Sequence, residues 1–277
     1  MRYERLAVTP SAPARREAVS AALFAAGAGG LLEDGATLIA VFADAGDARG
    51  AGRAAMGADA DAAVAQESFE PGDYLTAWRD GVRAHRVGSL VIAPPWLAGE
   101  HDPANTIVID PGTGFGTGEH ETTRITLVLL QDAVRPGDFI ADVGCGSGVL
   151  AIAAARLGAA RVAAVETDHE AVVNAEGNIA LNACAGRVTL IEADGASVLP
   201  LLAPLRVIAA NIIATVLIGL FGVFDAALAP GGDLIVGGIL IDERDEFVES
   251  ALHAGWRVVR EVCEGAWWGA RLRRIAE

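Results

Sequence analysis

From Thr122 onward the sequence alternates short apolar runs with longer helical stretches, and this alternation constrains the fold more than any other feature. The runs are Phe139–Val143, Arg161–Val165, Val188–Glu192, Val207–Ala210 and Asp233–Gly237. A strand with one face in water shows a two-residue period, whereas a run that is apolar throughout is covered on both faces. Such strands, separated by helices, make a parallel sheet with helices on either side, so this part is expected to be α/β. Two β-like runs near the end, WRVVREVCEG and AWWGARLRRI, predict an antiparallel hairpin at the sheet edge.

The chain divides near residue 70. Residues 1–70 predict a strand over Tyr3–Val8, a helix over Ala12–Ala26 with Ser11 as N-cap, and a hairpin turning at Asp34-Gly35. A helix over Ala45–Ala58 and a strand over Ala62–Phe69 follow, which completes a β-α-β-β-α-β order and a small α+β, ferredoxin-like domain. Residues 71–118, with Trp78, Pro94-Pro95, Trp96 and Pro111-Gly112, are expected to be a linker and a covering loop. The α/β domain then spans 119–277. Val207–Phe224 is 18 residues long and free of charge, yet it reads as a buried strand and an amphipathic helix. Leu217, Leu220, Phe221, Phe224 and Leu228 fall on one stripe of that helix, and no membrane span is expected.

Charge narrows the partners. The 277 residues carry 21 Lys+Arg, all of them arginine, against 36 Asp+Glu, for a net charge of -15. Residues 101–277 alone carry -11. The acidic balance argues against nucleic acid, which needs a basic face, and suits a cationic partner better, although solubility alone is the commoner reason for such a charge. The lack of lysine excludes a Schiff base or a phosphate-binding lysine. Cys145, Cys184 and Cys263 are odd in number with no metal-like spacing, so neither disulfides nor a metal site is expected. The opening MRYERLAVTP has no apolar h-region, and the expected compartment is the cytoplasm.

The chemistry is concentrated in DVGCGSG, Asp142 to Gly148, at the end of a strand and the start of a helix. A glycine turn there lets a ligand approach the backbone and meet the N–H groups of the helix. A dinucleotide turn has its third glycine at the position of Val149, and Asp142 would repel a pyrophosphate. Asp142 suits a ligand with an amino group, such as the methionine end of S-adenosylmethionine. Gly144 and Gly146 are the expected points of close approach. Glu166 ends the second strand, where an acid can accept from both ribose hydroxyls. Asp194, after the third strand, suits an adenine amino group or serves as an ordinary loop acid. Asn211, after the fourth, can accept from a target amine and orient its lone pair, or cap the next helix.

These motifs resemble the class I S-adenosylmethionine-dependent methyltransferases. The stretch DPGTGFGTGEHETT, Asp110 to Thr123, resembles the D-P-G-x-x-F-G-T-G-x-H-x-T-T signature of the PrmA family, which methylates protein eleven of the large ribosomal subunit. Tyr74, Trp78, Gly88, Pro94 and Trp96 resemble its linker pattern. The resemblance implies a Rossmann-like methyltransferase sheet behind a substrate-recognition domain. It also implies cofactor contacts from Thr123, Gly144, Glu166 and Asn211; Phe115 and His120 are the candidate substrate contacts, with a structural hydrogen-bonding role as the alternative for His120. The implied reaction is methylation of lysine and α-amino groups of a basic ribosomal protein by a monomeric enzyme. A methyltransferase of the same fold acting on another protein or a small amine is the alternative. Glu166 replaces the family's usual Asp, NIIA replaces NILA, and the C-terminal EGAWWGAR follows the family ending only loosely.

Overall fold

A computed structural model describes residues 3–28, 31–42, 44–69, 82–110 and 120–275. It separates into two compact units that meet between Val82 and Arg83 in the chain. The first unit runs β1 (Tyr3–Thr9), α1 (Arg16–Ala25), β2 (Leu32–Asp34), β3 (Thr37–Phe42), α2 (Ala45–Ala58) and β4 (Ala63–Phe69). Its antiparallel sheet has the order β2-β3-β1-β4, the ferredoxin-like arrangement. Alternate β1 residues, among them Leu6 and Val8, are buried with Val19, Leu23 and Ala51.

Ser11 does not cap α1. A 3-10 turn over Pro13–Arg15 leads into that helix, and Asp59 binds Ser11 instead. The Ser11 N–H and hydroxyl donate to the two Asp59 carboxylate oxygens at 2.7 and 2.8 Å. A carboxylate that is only 5% exposed requires donors, and Ser11 supplies two of them.

The second unit begins earlier than residue 119. Residues 83–110 carry a small sheet of β5 (His85–Val87), β6 (Leu90–Ala93) and β7 (Thr106–Val108), in that order. Leu90 to Ala93 are all buried, so this stretch belongs to the core and is not a linker. Helix α3 (Glu121–Ala133) holds it: Gln131 accepts from the Ser89 N–H at 2.8 Å and donates to the Val87 carbonyl at 3.0 Å.

The main sheet follows: β8 (Phe139–Val143), α4 (Val149–Arg156), β9 (Arg161–Glu166), α5 (His169–Leu181), β10 (Val188–Glu192) and α6 (Gly195–Leu202). Then come β11 (Leu205–Asn211), α7 (Ala214–Ala227), β12 (Leu228–Leu240), α8 (Arg244–His253), β13 (Trp256–Glu264) and β14 (Trp267–Arg274). The order is β10-β9-β8-β11-β12-β14-β13, parallel through β12, with the β13–β14 hairpin antiparallel at the edge. One apolar layer packs α3, α4 and α5 against the sheet, and the other gathers Phe221, Phe224, Phe247, Trp256 and Trp268. Val207–Phe224 is β11 and most of α7, and no helix among the described residues is long and apolar enough to cross a membrane.

Asp233 on β12 is 1% exposed and lies between strands. Arg273 donates to both of its oxygens at 2.6 and 3.2 Å, and Arg206 and Arg271 stand within 3.9 Å. Asp233→Ala removes two charge-assisted bonds, but Arg206 and Arg273 are over a third exposed and stay solvated, so the cost is about 2 kcal/mol. Thermal unfolding should therefore show a midpoint lowered by about 6 °C; an unchanged midpoint would show that the cluster contributes nothing to stability.

Candidate functional site

The strand order reverses between β8 and β11, and ligands of open α/β sheets sit beyond the carboxyl ends of the strands at such a point. Gly144 follows β8, Glu166 ends β9, Asp194 follows β10 and Asn211 ends β11. All four line one cavity of about 690 Å³, together with Gly146, His120, Thr122 and Thr123.

The glycine loop forms as it does because three residues need the left-handed region: φ is 69° at Gly144, 51° at Gly146 and 81° at Gly148. A Cβ on Gly144 would lie 2.7 Å from the Ile212 side chain, so the loop and the β11 end are in contact. The N–H groups of Gly144 and Cys145 donate to the Val165 carbonyl at 2.9 and 3.1 Å. Val149, where a dinucleotide loop has glycine, is 2% exposed and lines the cavity.

Glu166 braces this loop. One carboxylate oxygen accepts from Gly146 N–H at 3.0 Å, and the other from Thr167 and Asp168 N–H at 2.7 and 3.1 Å. Each carboxylate oxygen has two lone-pair sites, so the oxygen bonded to Gly146 keeps one for a further donor, and a second donor would have to displace a Thr167 or Asp168 bond. Asp194 caps α6 by accepting from Ala196 N–H at 3.1 Å, and its exposed side chain faces the cavity. The capping role and the ligand-facing role are therefore compatible.

Asp142 is placed differently from the sequence expectation. It is 1% exposed, is not part of the cavity wall, and accepts from the Ala151 N–H at 2.9 Å. It lies beneath the loop, at the start of α4, because strand residues alternate in direction and Asp142 points away from the cavity that Val143 lines. Burial, reinforced by the charge of Glu166, pushes its carboxyl up from 3.8 to about 7 against the opposing pull of the Ala151 bond. The folded protein thus holds a proton that the unfolded chain has released, and this group's stabilisation fades as pH rises from about 4 to about 7. Asp142→Asn should match the parent's melting temperature at about pH 4 and exceed it increasingly up to pH 8 without ligand. Parallel melting curves across that range would contradict the assignment.

Thr123 stands in the first turn of α3, fully buried, with its hydroxyl oxygen unpartnered among the described residues. His120 caps the helix: its Nδ1 accepts from Thr122 N–H at 3.3 Å, and its ring meets the Trp267 ring edge-on at 5.0 Å. The Asn211 amide donates to the Thr122 hydroxyl at 3.3 Å, which leaves its Oδ1 buried and unpartnered among the described residues. Gly237 makes this possible, since a Cβ there would collide with the Thr126 hydroxyl and lie 2.9 Å from Asn211 Oδ1. Cys145 also lines the cavity, but burial pushes its thiol up, so it is no nucleophile at neutral pH.

Sequence reasoning missed Trp267 and Gly237. The hairpin offered a signal: an antiparallel β14 necessarily starts at the carboxyl end of the parallel strands, which puts Trp267 opposite Leu240 beside the site. Phe115, Tyr74, Trp78 and the glycines of 112–118 lie outside the described residues.

Residues 15–274 match the family model for ribosomal protein L11 methyltransferase, PrmA. The ribosomal protein L11 methyltransferase of Pelotomaculum thermopropionicum is 40% identical over 215 residues, covering 77% of this chain and 69% of its own length. That of Gloeobacter violaceus is 40% identical over 201 residues, covering 72% of this chain, and 62% of that protein is matched. Among solved structures, a ribosomal protein L11 methylase from Lactobacillus delbrueckii subsp. bulgaricus superposes with a TM-score of 0.63 at 30% identity. It covers 70% of this chain and 99% of its own.

Proposed function

Since the chain belongs to the PrmA family of ribosomal protein L11 methyltransferases, we propose that it methylates lysine and α-amino groups of ribosomal protein L11 using S-adenosylmethionine. The observation that carries this reading is the convergence on one cavity of the glycine loop, Glu166 and Asn211, whose Oδ1 has no partner among the described residues.

The residues present fit the cofactor. The glycine loop leaves backbone open to close approach, and the buried Thr123 hydroxyl, at the N-terminal turn of α3, suits the cofactor's carboxylate. Glu166 would take the ribose hydroxyls, and Asp194 the adenine amino group. S-adenosylmethionine supplies an electrophilic methyl group on a sulfonium centre.

The nucleophile belongs to the substrate, so the protein's task is binding, orientation and desolvation. A lysine amine is protonated at neutral pH, with an ordinary pKa of about 10.4. The -11 charge of residues 101–277 draws in the cationic form. Once the bound amine has given its proton to water, Asn211 Oδ1 accepts a hydrogen bond from the neutral amine and aims its lone pair. The Trp267–His120 pair lines the same cavity. We assign substrate recognition to the β1–β4 unit, with Phe115 and His120 toward the substrate, and the reaction to the cytoplasm.

Incubation with labelled S-adenosylmethionine and lysate from cells lacking this enzyme tests the proposal. The expected result is one labelled band that coincides with L11. Label on another protein or on small amines, with L11 unlabelled, would replace the substrate assignment.

A further inference from the structure

Helix α5 carries Asn174 and Asn178, and Asn182 caps its end, so the three amides recur every fourth residue on one stripe. Four helical residues rise about 6 Å. Two strand residues advance about 6.6 Å. Side chains four apart on a helix can therefore pair with alternate residues of an extended segment, and here they do. Asn182 Oδ1 accepts from the Val108 N–H at 2.9 Å, and its amide donates to the Val108 carbonyl at 2.6 Å. Asn178 repeats this with Asp110: Oδ1 accepts from the N–H at 2.8 Å, and the amide donates to the carbonyl at 3.3 Å. Strand β7 pairs with β6 on one side only, so the helix supplies these residues with the bonds that another strand would make.

Besides Asn174 Oδ1 at 3.5 Å, Asn178 has a partner outside its own helix that Asn182 lacks. Its amide donates to the Ser147 carbonyl at 3.0 Å, and both residues are 0% exposed. Ser147 sits in the glycine loop between Gly146 and Gly148, both left-handed. A carbonyl held by a buried donor cannot rotate without leaving that donor unsatisfied. The bond therefore fixes the peptide that joins Ser147 to Gly148 and the orientation of the α4 N-terminus beyond it. Helix α5 also packs on the loop through Ala175, 3.5 Å from where a Gly148 Cβ would stand.

We infer that Asn178 is a positioning residue that locks the glycine loop in its ligand-accepting conformation and joins it to Asp110. This rests on the reading of the cavity as the S-adenosylmethionine site. It adds a residue outside the cavity wall whose loss should be felt as lost affinity.

Asn178→Ala and Asn182→Ala make a matched pair, because each removes one amide of the same helix from the same extended segment. Calorimetry with S-adenosylhomocysteine and thermal melting would be run on both and on the parent. Both variants should melt lower. Only Asn178→Ala should raise the Kd, by about tenfold, the scale of losing a supporting hydrogen bond behind a binding residue. Binding within twofold of the parent, or equal weakening by Asn182→Ala, would reduce Asn178 to a structural bond and overturn the inference. If Asn178→Ala does not fold, Asn178→Ser serves the same comparison. A parent that binds no S-adenosylhomocysteine would instead refute the cofactor reading.

Discussion

Gly144→Arg is expected to remove measurable S-adenosylhomocysteine binding while the chain stays folded. Two costs coincide at this position. The residue sits at φ 69°, a region that costs a side-chain-bearing residue about 1–2 kcal/mol. Its new Cβ would also fall 2.7 Å from Ile212 Cγ2, well inside contact distance. Overpacking of this kind typically adds about 1–3 kcal/mol. The loop can escape both costs by changing conformation, so the folded protein survives. The ligand must then pay to restore the competent loop, and apparent affinity falls in proportion to the competent population. The sum corresponds to a Kd raised by about 100-fold or more. Calorimetry on the purified variant, with circular dichroism to establish that it is folded, measures this directly. Binding within a few-fold of the parent would mean that the loop does not form the ligand site.

Asn211→Ala should divide binding from turnover. The side chain is held by the Thr122 hydroxyl at 3.3 Å and presents a buried Oδ1 without a partner among the described residues. Removing it costs the bound cofactor no more than one neutral hydrogen bond, about fivefold in Kd. The substrate amine loses the acceptor that aims it, and misplacement of a reacting atom lowers rates by about 100-fold. Single-turnover methylation of L11 with saturating S-adenosylmethionine separates the two effects. A normal rate with weakened binding would assign Asn211 to the cofactor alone.

The two predictions rest on different kinds of information. DVGCGSG between an apolar strand and a helix marks a ligand-binding turn in the sequence, because φ above zero and close approach are local demands that glycine alone meets cheaply. Asn211 was legible as a strand-end residue, but its value depends on Thr122, 89 residues earlier, and on the space left by Gly237. Asp142 shows the limit most clearly. Its type and position beside the loop suggested ligand contact, and the alternation of β8 places it beneath the loop, buried, with one oxygen bonded to the Ala151 N–H and the other without a partner among the described residues. Asn178 and Asn182 carried no sequence signal, since an amide on a helix becomes a strand's partner only when that strand is brought beside it. The same holds for residues 83–110, whose three short strands are too brief to stand out from a Pro-rich connector.

The sequence by itself determined the local elements: which runs are strands, where the glycine turn lies, which acid and amide end which strand. These depend on periodicity and backbone preference within about ten residues. Only the tertiary structure decided which ends meet. The order β10-β9-β8-β11-β12-β14-β13 gathers Gly144, Glu166, Asp194, Asn211 and Trp267 around one cavity from positions spread over more than a hundred residues. It also chooses the face each side chain takes. Strand pairing is a long-range contact set by burial of the whole sheet, and no short stretch of chain specifies it.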